Sequence, residues 1–210
     1  MKSEGTRCNE YGILTRQRKN DLLKELFRKS IHICSAAVPF LLHVFGQRIL
    51  IALACVVVCY TVAEIFRLKG RNIPVISQIT AVAARKRDEN RFVLGPVTLS
   101  CGIILCSLAW KPLPASIGIY ALAFGDGLAS LSGKLFGKVQ IPFTQGKTAT
   151  GSLTCFTAIF ISTYASCGRT HVSLIVASVG MFIELLPLKD FDNIFIPLVL
   201  GGLAQYLLFP

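Results

Sequence analysis

Charge is scarce in this sequence. Only 16% of its 210 residues are charged, against roughly 25% in soluble domains, and that scarcity excludes a water-soluble globular enzyme of this length. Acids are rarer than bases, 11 against 22, so the formal net charge is +11. There is no glycine period, which excludes collagen, and the 53% apolar content excludes disorder. No C-x-x-C pair occurs among the eight cysteines. Cys55 and Cys59 have no second pair to complete a zinc site, so the cysteines read as small buried hydrophobes. There is no internal repeat of the kind transporters often carry. The first 30 residues are too polar for a secretory signal, so none is expected. A +11 charge in a soluble protein would suggest nucleic acid as a partner, but here long uncharged runs separate the charges, and no nucleic acid is expected.

What is present is apolar and continuous. Seven runs stand out, at about 31–45, 49–66, 92–110, 113–133, 150–167, 172–188 and 193–209. A helix crossing a bilayer needs roughly 20 apolar residues. The runs do not alternate polar with apolar, which favours helices over a barrel. The expected fold is therefore an all-α integral membrane protein with about seven transmembrane helices, short loops and a cytoplasmic N-terminus. The first run is short, and His32, Pro39 and His43 interrupt it. The orientation follows from the bases: with that topology nineteen of the 22 Lys/Arg fall inside, and only Arg48, Lys111 and Arg169 fall outside. The acids, which do not govern topology, cluster toward the same face, so one working face on the cytoplasmic side is expected. Residues 1–21 read as a basic mobile tail, and residues 22–210 as a single transmembrane domain. Asp21–Ser30 reads as an amphipathic lead-in, with Leu22, Leu23, Leu26 and Phe27 at the interface and Lys24, Arg28 and Lys29 toward water or phosphate.

Four polar constellations open on that face. The first is Phe124–Lys138, FGDGLASLSGKLFGK, where Asp126 sits in an otherwise uncharged stretch. An ionisable group at membrane depth is costly and therefore a functional candidate. Asp126, Ser130, Gly133 and Gly137 share a helical face, and Gly125, Ala129, Gly133 and Gly137 form a ladder of small residues that also suits plain helix packing. The second is Thr144–Ser152, TQGKTATGS, at the start of a span. Its backbone N–H groups with Lys147, Thr148, Gly151 and Ser152 suit phosphate oxygens, although a helix cap with a snorkelling lysine explains it equally. It is not a Walker A loop, because Ile141 stands where the first glycine would fall. The third, Glu184–Asn193, places Asp190, Asp192 and Asn193 within four residues at a break between spans. Such hard oxygen ligands suit Mg²⁺, which needs only one or two carboxylates; a capped turn is the plainer reading. The fourth is Glu25–His32, ELFRKSIH, with Arg28 and His32 four apart; read alone, it is a solvated basic patch. Glu64 and Glu89 are weaker candidates. Together the four supply basic donors, a helix N-terminus and carboxylates for a metal, which is what handling a nucleoside triphosphate at a membrane surface requires.

On these residues the sequence resembles the CTP-dependent polyprenol and lipid alcohol kinases: phytol kinase, dolichol kinase and the CTP-type diacylglycerol kinase. The matching pieces are ELFRKSIH at Glu25–His32, GDGLASLSGKLFGK at Gly125–Lys138, KTATGS at Lys147–Ser152 and DNIFIP at Asp192–Pro197, over about residues 22–209. The resemblance implies transfer of the CTP γ-phosphate to a lipid hydroxyl with a divalent metal, giving CDP and a lipid monophosphate. The acceptor would be an isoprenoid alcohol or diacylglycerol, drawn from the bilayer. It implies importance for Arg28, Lys29, Asp126, Gly133, Lys147 and Asp192. On that footing Asp126 is a metal ligand or the base that receives the alcohol proton, and Lys147 holds phosphate with the Thr148–Ser152 turn. Gly125, Gly127, Ser130, Gly133, Lys134 and His32 complete the phosphate site. Arg28 and Lys29 stabilise the transferring charge, and Asp192 helps hold Mg²⁺ with Asn193, Asp190 and Glu184. The chain departs from the family at D-F-D-N, where many relatives read G-D-N, which leaves the part played by Asp190 open. A phosphatidate cytidylyltransferase is the main alternative, separable by its pyrophosphate product; a small transporter ranks lower. A homo-oligomer is compatible with all three.

Overall fold

The computed structural model describes residues 22–70, 91–142, 144 and 146–209. The expected tail at 1–21 and the loop residues 71–90, Glu89 included, lie outside the described residues. Among those described there is no strand, only an isolated antiparallel bridge between Gln140 and Thr148. Helix α1 covers 22–34, α2 Ala37–Phe45, α3 Arg48–Leu68 and α4 Gly95–Ala109. Helix α5 is continuous over Pro112–Phe136, α6 is Ala149–Cys167, α7 Thr170–Leu185 and α8 Asp192–Leu208.

Local chemistry sets these limits. Proline stands in the first turn of α4 and α5, where its missing N–H costs nothing. Thr148 caps α6 by accepting from the Gly151 N–H. Gly168, at φ 66°, closes the same helix in the left-handed conformation. Six of the seven apolar runs each correspond to one helix. The run 31–45 is the exception and corrects the expected span: the helix breaks after residue 34 and restarts at Ala37. Pro39 has no N–H to donate to the Ser35 carbonyl, which accepts from the Val38 N–H, and the Ser35 hydroxyl donates to the His32 carbonyl. Nine-residue α2 is too short to cross a bilayer.

Two helices are long and apolar enough to cross a membrane, Arg48–Leu68 and Pro112–Phe136, while α4, α7 and α8 are shorter apolar helices. The two long helices differ in their surroundings. The apolar window of α5 is 61% buried inside the protein, but that of α3 is only 17% buried. Val56 and Val58 of α3 are more than half exposed, so this helix offers apolar surface to its environment.

Helix α5 is the axis of the core. Ile117, Ile119 and Leu122 are fully buried, with Ile159 of α6, Val172 and Val176 of α7, and Ile196 and Leu200 of α8 around them. Pro197 inside α8 leaves the Asn193 carbonyl without its helical donor. That carbonyl faces Gly102 of α4, where an added Cβ would stand 2.1 Å from the oxygen. Gly102→Ala is therefore expected to destabilise the protein by about 1–3 kcal/mol or more through overpacking, read as a fall in melting temperature in detergent. Gly95→Ala, with open space around its Cβ, is expected to leave the melt unchanged.

Thr144 and residues 146–148 before α6, the α7–α8 turn at 186–191 and the N-terminal half of α1 meet at one end of the bundle. The two-residue turn at 46–47, the α4–α5 junction and the turn at 168–169 lie at the other. Glu64, fully buried at the end of α3, accepts from Arg67 and from the Val93 N–H. It is a tether for the segment entering α4 and has no part in the site described next.

Candidate functional site

The site begins at an irregularity in α5. Residues Ala121–Asp126 form a π-helical turn, a wider and less stable arrangement that recurs at functional sites. It delivers Asp126, 8% exposed, beneath α1. Helix α1 and the turn that follows it answer with one inward stripe, Glu25, Lys29, His32 and Ser35, all buried. Lys29 Nζ lies 2.5 Å from Asp126 Oδ2, and His32 Nδ1 lies 3.3 Å from the same oxygen. This corrects the lead-in expectation. Leu23, Leu26 and Phe27 are exposed and face outward, but Lys29 is turned inward and is 3% exposed. The reason is pairing: a buried carboxylate at Asp126 is tolerable only with a cation against it.

Glu25 organises the next layer. Its carboxylate accepts from Arg28, from the Ser130 hydroxyl and from Lys134 on α5. Burial works to raise this carboxyl, but Arg28, Lys134, Ser130 and Lys29 outweigh it and hold it at about 2. The usual value is 4.5, so the folded pKa is depressed. Stability from Glu25 is then fully present above pH 4.5 and lost as the pH falls toward 2. We expect wild type to lose melting temperature across that window and Glu25→Gln to show a flatter profile there.

The start of α6 closes a second side. Thr148 Oγ1 sits against Gly133, where an added Cβ would be 2.9 Å away, and Gly151 packs near Ala129 and Gly133. The small residues thus bring α5 and α6 together beside the cavity. Lys147 Nζ lies 3.0 Å from Glu184 Oε1 of α7, while Glu184 Oε2 is buried with no partner. The α7–α8 turn completes the rim. Lys189 adopts φ 58°, a left-handed conformation uncommon outside glycine.

These elements enclose a cavity of about 430 Å³. Of the residues expected at the site, Arg28, Lys29, Asp126, Ser130, Gly133, Lys134, Lys147, Thr148, Gly151, Glu184 and Asp192 line it. His32, Asp190 and Asn193 line a smaller adjoining space of about 40 Å³, which Lys29, Asp126 and Asp192 also reach. Gly125, Gly127 and Ser152 line neither. Gly125 packs on Ile159 and Gly127 on Ile33, and the Ser152 hydroxyl returns to the Thr148 carbonyl. The Asn193 amide donates to Thr98 Oγ1 and the Gly95 carbonyl, tying α8 to α4. Neither Asp192 nor Asn193 caps α8 from outside: Asp192 is its first residue, and its carboxylate accepts from the Asn193 N–H. Two charged lining residues are absent from the expected site, Glu25 and Lys189, as are the uncharged Ala129, Thr144, Gly146, Leu186 and Pro187. Glu25 carried a signal in its spacing to Arg28 and Lys29; Lys189 carried none.

Among the described residues no group of three or more His, Cys, Asp or Glu forms a metal cage. The donors nonetheless fit a cation that takes one or two carboxylates and draws its other ligands from phosphate and water. Asp126, Asp192 and Glu184 line one cavity, and one Glu184 oxygen is buried without a partner.

Comparison with known proteins finds relatives of one kind. Over 162 residues, 68% of this chain and 52% of the relative, the chain is 30% identical to phytol kinase 1 of Arabidopsis thaliana, a chloroplastic enzyme. It is 28% identical over 142 residues to farnesol kinase of the same plant, covering 60% of the chain and 46% of the relative. A probable phytol kinase 1 of Glycine max is 27% identical over 216 residues, 90% of the chain and 69% of the relative. The chain spans about half the length of the first of these relatives. No family model and no solved structure matches the chain.

Proposed function

We propose, on the premise that this chain belongs to the polyprenol and lipid alcohol kinase family of the phytol and farnesol kinases, that it phosphorylates the hydroxyl of an isoprenoid alcohol within a membrane. The donor in this reading is CTP, and the products are CDP and a lipid monophosphate. One observation carries it: a buried Lys29–Asp126 pair forms the floor of a cavity rimmed by Arg28, Lys134, Lys147 and Lys189. Phosphoryl transfer asks the protein mainly for positioning and for neutralisation of phosphate charge, and this cavity concentrates cations for both.

The roles follow from placement. Lys147 and the N-terminal turn of α6 hold donor phosphates. Lys147 is paired to Glu184 and Lys134 to Glu25, so an incoming triphosphate exchanges one anionic partner for another. Arg28 stands over the transferring group and stabilises its charge. Asp126 orients the acceptor hydroxyl and takes its proton, with Lys29 fixing the carboxylate. Mg²⁺ held by Asp126, Asp192 or Glu184 would add charge neutralisation on the phosphates. The seven-span arrangement, with the broken α1–α2 pair together making the first crossing and this cavity opening on the cytoplasmic face, is part of the proposal; it rests on the distribution of bases and on the exposed apolar surface of α3.

The test is a single-turnover assay in lipid nanodiscs with γ-labelled CTP or ATP, Mg²⁺ and a panel of lipid alcohols. Label passing from CTP to an isoprenoid alcohol is the expected result. Pyrophosphate release on adding phosphatidate, with no labelled lipid, would instead favour the cytidylyltransferase, which the relatives' names do not support.

A further inference from the structure

The second large space in the protein lies along α2, away from the charged cavity. It measures about 600 Å³, within the roughly 300–1,000 Å³ of pockets that bury small-molecule ligands. Its walls are Pro39, Phe40 and Leu42 of α2, the first half of α5 from Pro112 to Tyr120, and Leu108 at the end of α4. It arises because α2 packs sparsely on α5, while α1 packs tightly on it: Ile33 Cγ1 stands 3.1 Å from where a Cβ on Gly127 would be. The break at residues 35–36 separates the tight half from the loose one.

The groove and the site lie along the same helices, α5 and the α1–α2 pair, without a lining residue in common. The inward stripe of α1 continues into α2 as Glu25, Lys29, His32, Ser35 and Pro39, at helical spacings of three and four. The first members are charged and the last is apolar. On α5 the sequence runs the opposite way, from Asp126 through Leu122 and Ile119 to Ala115, all buried. At 1.5 Å per residue the groove starts at Tyr120, about 9 Å along α5 from Asp126, and ends at Pro112, about 21 Å from it. Its far end is polar, with His43, Gln47 and Ser107. A ligand that fits both spaces has a single hydroxyl at one end and a hydrocarbon tail of up to about 20 Å.

We propose that the α2–α5 groove binds the isoprenoid tail of the acceptor alcohol, with its hydroxyl at Asp126. This rests on the kinase reading above and adds to it where the tail lies and which residues sense its length. Ser116 faces the groove about 15 Å along α5 from Asp126. Its side chain limits how far a tail extends and takes no part in the chemistry.

Two measurements test it. The first uses a phytol analogue carrying a diazirine at the tail end, photolysed with the full chain in nanodiscs and mapped by mass spectrometry. Label on the peptides holding Phe40 and Leu113, competed by excess farnesol although bilayer phospholipid is abundant, is the expected outcome. Label spread over outward residues such as Val56 and Tyr206, or not competed by farnesol, overturns the proposal. The second compares kcat/KM for geraniol, farnesol and phytol in wild type and Ser116→Trp. The expected result is a loss of tenfold or more for phytol, with geraniol within twofold. An equal loss, or no loss, across the three chain lengths overturns it. Should wild type phosphorylate no alcohol, the kinase reading fails by itself, and the labelling pattern still decides whether the groove binds the tail.

Discussion

Asp126→Asn is expected to remove phosphorylation of every lipid alcohol, by roughly 10²–10⁴-fold in kcat/KM if the carboxylate takes the acceptor proton. The substitution keeps size and shape and deletes only the charge and the capacity to accept a proton. Asp126 is paired with Lys29, and it lines both the main cavity and the small adjoining space. Two of the neighbouring acids are already engaged: Glu25 is committed to Arg28, Ser130 and Lys134, and Glu184 faces Lys147. The loss is expected in kcat for short and long acceptors alike, which separates it from the tail-dependent effect of Ser116→Trp. Nucleotide binding, measured with labelled CTP at equilibrium, is expected to change far less, because Lys147 and the start of α6 are untouched. Retention of more than a tenth of wild-type turnover would remove Asp126 from the chemistry.

Much of this arrangement is legible in the sequence because it follows from local rules. Continuous apolar runs become helices, and six of them mark α3 to α8 to within a few residues. Short turns such as 168–169 force neighbouring helices to run antiparallel, so polar segments at alternate ends collect on one face. What is not legible depends on atoms far apart in sequence. The inward turn of Lys29 exists only because Asp126, 97 residues away, arrives through a π-helical turn that no periodicity reveals. The break at 35–36 falls one turn before Pro39 and separates the tightly packed α1 from the sparsely packed α2 that borders the groove. The glycine ladder shows the opposite difficulty. Gly133 lines the cavity and packs against Thr148, whereas Gly125 and Gly127, in the same motif, only admit Ile159 and Ile33. A motif read as one unit divides, in space, into a lining part and a packing part. Asn193 likewise serves the α4–α8 contact through Thr98, although its sequence neighbour Asp192 lines the cavity.

Lys29→Met carries the largest expected effect on stability. The side chain of Lys29 is 4% exposed and that of Asp126 12%, so removing the ammonium leaves a largely buried carboxylate without its directly bonded cation, with His32 at 3.3 Å. Breaking such a pair from one side costs about 3–5 kcal/mol, seen as a large fall in melting temperature in detergent. Asp126→Asn alone is expected to cost less, because a lone lysine on a flexible stem can release its proton or reach the open cavity. The double variant, Lys29→Met with Asp126→Asn, is expected to recover most of the stability lost by Lys29→Met, since replacing both ions removes the unpaired charge. It is not expected to recover turnover. That split separates the two roles of one contact: the pair's charge balance holds α1 against α5, while the carboxylate itself serves the reaction. Lys29→Met with a wild-type melt would mean that α1 is held by Glu25 and Ile33 alone. Recovery of activity in the double variant would mean that the buried pair is architecture and that the acceptor is oriented elsewhere in the cavity.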